Sequence, residues 1–223
     1  RSGSTGIPSK NLITGPLLCG RPLLTYTVDA AAESCDIVLV STDDEATLDY
    51  AHNHVSARVE GIRRPAHLCA ATTASEPCVL HAIATCSIRP EDDDAIVFLQ
   101  LTSPLRTAAH IREALDIYRD SEADTLVRVE PGAHCYFAGH GIGRSGYEPL
   151  RDITQPNPPR QKLANLWREN GAIYIASAGW WRTVGTRIGG RVSRYEMTSA
   201  HSIDIDTPDD LAIAEVLMQR RDT

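Results

Sequence analysis

Short apolar runs alternate with helix-like segments along most of the 223-residue chain, and that alternation predicts an α/β fold of three layers. Such a fold has a mainly parallel sheet covered by helices on both faces. The apolar runs are short, β-branched and bounded by turn residues, as buried strands are. Between them lie stretches whose apolar residues recur at helical spacing.

A Gly- and Ser-rich loop opens the chain, and no strand precedes it. A nucleotide-binding α/β sheet usually feeds such a loop from a buried strand. Either a strand is missing ahead of Arg1 or the sheet has lost one. Leu24, Val28 and Ala31 then predict a helix over 22–34. The run 37–40, between Asp36 and Ser41-Thr42-Asp43, predicts a buried parallel strand. Helices are expected over 45–53 and 75–86, the second tolerating Pro77 in its first turn. Residues 95–99 read as a strand. Thr107 can cap the next helix, whose apolar stripe is Ile111, Ala114, Leu115 and Tyr118. Residues 125–129 read as a further strand.

The segment 131–165 is rich in Gly and Pro and weakly periodic, so it predicts a long functional loop or an excursion from the domain. A strand is expected over 172–176 and a strand end over 202–206. The last helix runs over 207–220, with Thr207 as its N-cap and Pro208 at its first position. One domain, 1–223, accounts for the whole chain.

Composition narrows the function. The chain is 42% hydrophobic and 23% charged, with net charge −7 and no basic run. That excludes the clustered Lys/Arg footprint of a nucleic-acid binder. No stretch approaches the roughly 18–20 apolar residues of a membrane span, and no secretory signal is expected at the start. The six cysteines, Cys19, Cys35, Cys69, Cys78, Cys86 and Cys135, form no C-x-x-C pair. They are expected to be reduced and mostly buried, in a cytoplasmic protein. The eight histidines include no H-E-x-x-H.

Four segments could carry chemistry. In 1–11, small residues would let backbone N–H groups approach phosphate oxygens, with Arg1 and Lys10 supplying charge. The same composition also fits an ordinary turn. In 202–207, strand alternation would place Asp204 and Asp206 on one face, roughly 6.5–7 Å apart at the backbone. That spacing suits one hard cation or a cation pair, and it suits a solvated strand edge equally. Ile203 and Ile205 would face the core. In 99–106, Gln100 could bond a sugar or base edge and Arg106 an anion, or the segment merely turns the chain. In 167–171, Arg168 could grip a substrate carboxylate, or pair with Glu169 at the surface.

In their order and spacing these segments resemble the CMP-sialic acid synthetases, the acylneuraminate cytidylyltransferases, which are related to the CMP-Kdo synthetases. The resemblance runs from Arg1 to about Leu217. It rests on R-S-G-S-T-G-I-P-S-K-N at 1–11, V-S-T-D-D at 40–44, R-P-A at 64–66, L-Q-L-T-S-P-L-R at 99–106, R-E-N-G-A-I-Y-I at 168–175 and S-I-D-I-D-T-P-D-D at 202–210. It implies a Rossmann-like αβα nucleotidyltransferase fold with a small dimerisation excursion at 131–165. The implied activity is transfer of CMP from CTP to the anomeric hydroxyl of a nonulosonic acid, with release of pyrophosphate. Arg1, Ser4, Lys10 and Asn11 would contact the CTP triphosphate, and Arg64 and Ser75 the cytosine. Gln100 and Arg168 would face the acidic sugar, and Asp204 and Asp206 would hold magnesium (Mg2+). A homodimer is implied, and the partners are CTP and the sugar, with no nucleic acid and no membrane.

The chain departs from the family's pattern in places. Thr5 stands where a lysine is usual, Leu101 replaces a usual proline and Ala71 a usual aspartate, and Phe137 falls near a usual sugar-side lysine. The alternatives are the same chemistry on Kdo or a phosphonate, or a nucleotide-binding relative without turnover.

Overall fold

The computed structural model of the chain describes residues 6–70, 72–132, 137–139, 147–149 and 166–221. The expected α/β class is what it contains. A two-residue hairpin opens it, pairing β1 (Leu17–Leu18) with β2 (Arg21–Pro22) across Cys19 and Gly20, both at positive φ. Helix α1 (Leu23–Ala32) follows directly.

Strand β3 (Val38–Thr42) leads into α2 (Glu45–His52), which Asp44 caps by accepting from the Thr47 N–H at 2.9 Å. Strand β4 (Val59–Arg63) then pairs parallel with β3. After a 3-10 turn over Ala66–Leu68, α3 (Ser75–Thr85) leads to β5 (Ala95–Phe98). Helix α4 (Ala108–Asp120) opens on a capping box in which Thr107 and His110 bond each other's backbone.

The remaining strands build the main sheet. These are β6 (Thr125–Gly132), β9 (Leu166–Ser177) and β10 (Val192–Glu196), and the order is β10-β6-β9-β5. The β10–β6 ladder is parallel, whereas β9 runs antiparallel to both β5 and β6. A register shift between Val127 and Val129 leaves Arg128 at a bulge in the β6–β9 pairing. Of the expected excursion, Pro131 and Gly132 still belong to β6, β7 (Phe137–Gly139) and β8 (Tyr147–Pro149) pair antiparallel, and the rest of 133–165 lies outside the described residues. Helix α5 (Ala178–Thr183) follows β9, and α6 (Pro208–Arg221) ends the described chain.

Side-chain alternation along β6 and β9 separates the layers. Leu126 and Ile175 bury with Ile111, Ala114 and Leu115 of α4 on one face. On the other, Ala176 meets Ile83 of α3 and Trp181 of α5, and Val127, Val129 and Tyr174 form a neighbouring cluster. Each fully buried aliphatic side chain stabilises the fold by about 1.5–3 kcal/mol relative to exposure. A further cluster matters for the site: Ile7 of the opening loop, Leu105, Ile205 and Met218 of α6 bury together.

Three expectations need correction. Residues 202–206 are not a strand: a 3-10 turn over Ser199–His201 delivers them as an extended loop held by single contacts rather than a ladder. Strands β4 and β10 and helix α5 were not foreseen, because V-E-G-I-R and V-S-R-Y-E interrupt their apolar residues with charge or glycine. The cysteines among the described residues are free, and they are half-buried or exposed rather than mostly buried; Cys135 lies outside the described residues.

Candidate active site

Two loops meet at the end of the sheet. The opening loop turns tightly: the Leu12 N–H donates to the Ser9 carbonyl at 2.9 Å, and Ser9 itself has φ of 55°. A left-handed non-glycine residue stores local strain, which folds tolerate mainly where function needs the geometry. Gly6 lies against the second loop so closely that a Cβ there would stand 2.1 Å from the Asp206 carbonyl oxygen. The shared burial of Ile7 and Ile205 fixes that approach.

Lys10 joins the loops. Its buried Nζ donates to the Ile205 carbonyl and to Asp206 Oδ1, each at 2.6 Å. The Asp206 carboxylate is otherwise open, with 71% of its side chain exposed. Asp204 is more enclosed. Burial pushes its carboxyl above the ordinary carboxylate range, a hydrogen bond with Thr102 opposes that, and the Asp206 charge adds to it. Its Oδ1 is buried without a partner. The Ile205 N–H donates to the Thr102 carbonyl at 2.8 Å, so the end of β5 holds this loop. Asp210 finishes it by accepting from the N–H groups of Asp206 and Thr207 and from the Thr207 hydroxyl, which caps α6 as expected.

A hard cation fits these residues. An orphaned carboxylate oxygen beside an open carboxylate is an acceptor-only donor set. Among the described residues no group of three or more His, Cys, Asp or Glu could enclose a metal. Two carboxylates alone would leave most coordination positions of a hard cation open.

The remaining expected contact residues come from other elements. Asn11 follows Lys10, with Oδ1 buried and unpartnered. Arg64, just past β4, is aimed by Ser41 at the end of β3: Nε donates to Ser41 Oγ at 3.2 Å and Nη2 to its carbonyl at 2.6 Å. Ser75 is the first residue of α3 and is half-buried. Arg1, Ser4, Thr5 and Ala71 lie outside the described residues.

Gln100 lies two residues past β5 and Arg168 lies on β9. Gly171 has φ of 75°, and a Cβ on it would stand 2.5 Å from Gln100 Oε1, so glycine makes room for the amide. The surface partner expected for Arg168 was Glu169; instead Glu169 accepts from the Tyr174 hydroxyl, and Arg168 pairs with Glu130. The register explains this, because Glu130 and Arg168 are directly paired across β6 and β9. Glu130 is buried while 62% of the Arg168 side chain is exposed, so the guanidinium is oriented yet reachable.

Arg106 is not available to a ligand. It is 2% exposed and donates to the carbonyls of Gln100 and Ala172 and to Thr27 Oγ1, clamping β5, β9 and α1 together. Sequence reasoning missed Thr102 and Glu130 as supports of Asp204 and Arg168. Thr102 lay inside a motif already singled out, whereas nothing local marks Glu130.

Known proteins resemble this chain in sequence and in fold. The profile of a family described as cytidylyltransferase matches residues 1–145. N-acylneuraminate cytidylyltransferase of Streptococcus agalactiae serotype III is 31% identical over 94% of this chain and 49% of its own length. The chain thus spans about half the length of that relative. CMP-N,N'-diacetyllegionaminic acid synthase of Legionella pneumophila is 30% identical over 98% of this chain and 93% of its own. In fold, the chain is similar to CMP:2-keto-3-deoxy-manno-octonic acid synthetase complexed with CTP, at TM-score 0.69 and 14% identity, covering 99% of this chain and 96% of that one. A 4-diphosphocytidyl-2C-methyl-D-erythritol synthase from Anaerococcus prevotii follows at TM-score 0.67 and 11% identity, over 96% and 93%. At such identities the structural likeness shows the Rossmann-like nucleotidyltransferase fold alone.

Proposed function

The chain belongs to the cytidylyltransferase family, and from that premise we propose that it transfers CMP from CTP to the anomeric hydroxyl of a nonulosonic, sialic-type acid. The observation that carries the reading is the junction of Lys10 with Asp204 and Asp206, pressed against a Gly-rich loop. The full-length similarity to the Legionella synthase supports the acceptor class.

In this reading the acceptor hydroxyl oxygen attacks the α-phosphorus in line. The bond from that phosphorus to the α,β-bridging oxygen breaks, and pyrophosphate leaves with the electron pair. Catalysis is then mostly positioning and charge neutralisation. Lys10, Asn11, Arg1 and Ser4 hold the triphosphate, and Arg64 and Ser75 hold the cytosine. Arg168, steadied by Glu130, pairs with the acceptor carboxylate, and Gln100 bonds the sugar. Asp206 with Asp204 would hold Mg2+, which would supply charge neutralisation at the phosphates and acidify the attacking hydroxyl. Asp204, the more enclosed carboxylate, takes the hydroxyl proton. The protein works as a cytoplasmic homodimer, with 131–165 reaching the second copy. No helix among the described residues is long and apolar enough to cross a membrane.

The test is pyrophosphate release with Mg2+, offering each nucleoside triphosphate against N-acetylneuraminic, legionaminic and pseudaminic acids, Kdo and a phosphonate. Release with CTP and one nonulosonic acid is expected. Release with Kdo or the phosphonate alone would reassign the acceptor, and CTP binding without release from any acid would sink the catalytic reading.

A further inference from the structure

Arg128 is fully buried on β6, and neither the sequence motifs nor the site described above uses it. Its Nη2 donates to Ser202 Oγ, while Nε and Nη1 are buried without partners. A guanidinium enclosed with so few partners is costly to fold. What it holds is the start of the carboxylate loop. Ser202 Oγ accepts from Arg128 and, at 3.3 Å, from Asn170 Nδ2, and donates to the Thr198 carbonyl at 2.6 Å. Both lone pairs and the one proton of that hydroxyl are committed, so its orientation is unique.

From Ser202 the chain passes through Ile203 to Asp204, and the next anchor is the Ile205 N–H on the Thr102 carbonyl. Asp204 is suspended between these two attachments. One belongs to β6 and β9, the other to the end of β5. The same β6 and β9 carry the Glu130–Arg168 pair two residues further along each strand. Arg128 is the one β6 residue that faces the extra residues 170–173 of β9, and in the ladder with β10 it stays opposite Tyr195.

We propose that Arg128, acting through Ser202 and seconded by Asn170, is a positioning residue that sets the Asp204 carboxylate relative to the Arg168 end of β9. It rests on the reading of Asp204 and Asp206 as the carboxylates that hold the cation. Loss of the tether lets Asp204 drift while the opening loop and the Arg64 region stay in place. Turnover and cation affinity fall, and nucleotide affinity does not.

The experiment compares wild-type protein with Ser202→Ala, Arg128→Lys and Arg128→Met. Kinetics with CTP, a nonulosonic acid and Mg2+ are expected to show kcat in Ser202→Ala lowered at least tenfold, half-saturating Mg2+ raised at least fivefold, and KM for CTP within twofold. Arg128→Lys, which can still reach the hydroxyl with one donor, is expected to recover part of the Arg128→Met loss. If Arg128→Met does not fold, Ser202→Ala decides, since it removes one oxygen. Mn2+ affinity by electron paramagnetic resonance, measured with CTP, needs no acceptor and no turnover. It therefore keeps this test separate from the reaction assignment, and a weakening of at least fivefold in Ser202→Ala is expected there too. Unchanged Mn2+ affinity, or loss of CTP affinity in step with kcat, would overturn the proposal.

Discussion

At the residue scale the centre of the site is one cation, Lys10, held by a backbone carbonyl and a carboxylate. Lys10 satisfies the Ile205 carbonyl and Asp206 together, so Asp206 contributes to loop closure as well as to the chemistry assigned to it. Asp206→Asn keeps an acceptor for Lys10 while halving the charge offered to a cation. It is expected to lower kcat at least about 100-fold and to leave circular dichroism and Tm nearly unchanged. Wild-type turnover in that variant would remove Asp206 from the reaction. A second residue gives a pH signature. Burial, reinforced by His201, holds His110 down at about 4. The unfolded chain, with an imidazole near its ordinary ~6.5, takes up a proton first as pH falls. Stability is therefore full above ~6.5 and is lost as pH drops toward ~4. Gln at 110 preserves the capping box without titrating. His110→Gln is expected to flatten the acid limb of a urea-denaturation profile by about 1 kcal/mol once solvent screening of this half-buried ring is allowed for.

At the element scale β9 carries more of the site than its length suggests. Its antiparallel pairing with β6 brings Glu130 to Arg168, and its glycine admits Gln100 from the segment that follows β5. Gly171→Ala would put a Cβ into a positive-φ position and against the Gln100 amide. We expect it to cost roughly 1–2 kcal/mol of stability. It should raise KM for the acceptor several-fold while leaving KM for CTP alone. Equal changes in both constants would contradict the assignment of Gln100 to the sugar side. The loop before α6 shows the complementary principle. Asp210 gathers three donors there, so the end of the Asp204–Asp206 segment is fixed by a helix cap rather than by a sheet ladder.

At the scale of the whole molecule, the site is assembled from segments that separate clusters hold in place. The Ile7–Leu105–Ile205–Met218 cluster seats the opening loop against the last helix, and the α4-side core seats β6 and β9. Ligands bridging the two should stabilise the fold by linkage. At one hundred times its Kd, CTP with Mg2+ is expected to add about 2.7 kcal/mol, a rise in Tm of roughly 5–10 °C for a domain of this size. CTP with a chelator should give less. Light scattering at micromolar concentration is expected to report a dimer, and a monomer under those conditions would remove the role proposed for 131–165.

The local signals gave α1 to α4, α6, β3, β5 and the core of β9, because helix periodicity, caps and buried apolar runs are written in adjacent residues. Lys10, Arg64, Gln100, Arg168, Asp204 and Asp206 stood out as candidates for the same reason, through short patterns in order. The pairings were not. Arg106 reads as an anion ligand in its own segment and is a buried clamp in space, because its acceptors lie on α1 and β9. Arg168 takes Glu130 over its neighbour Glu169 because strand register, not sequence distance, sets which charges face each other. Ser202, two residues ahead of a carboxylate, becomes an anchor only through Arg128 of β6, which lies 74 residues away in the chain. Sequence by itself determined which elements form and which residue types reach the end of the sheet. Tertiary structure decided which of them touch, because burial and ladder register act between segments that the chain order keeps far apart.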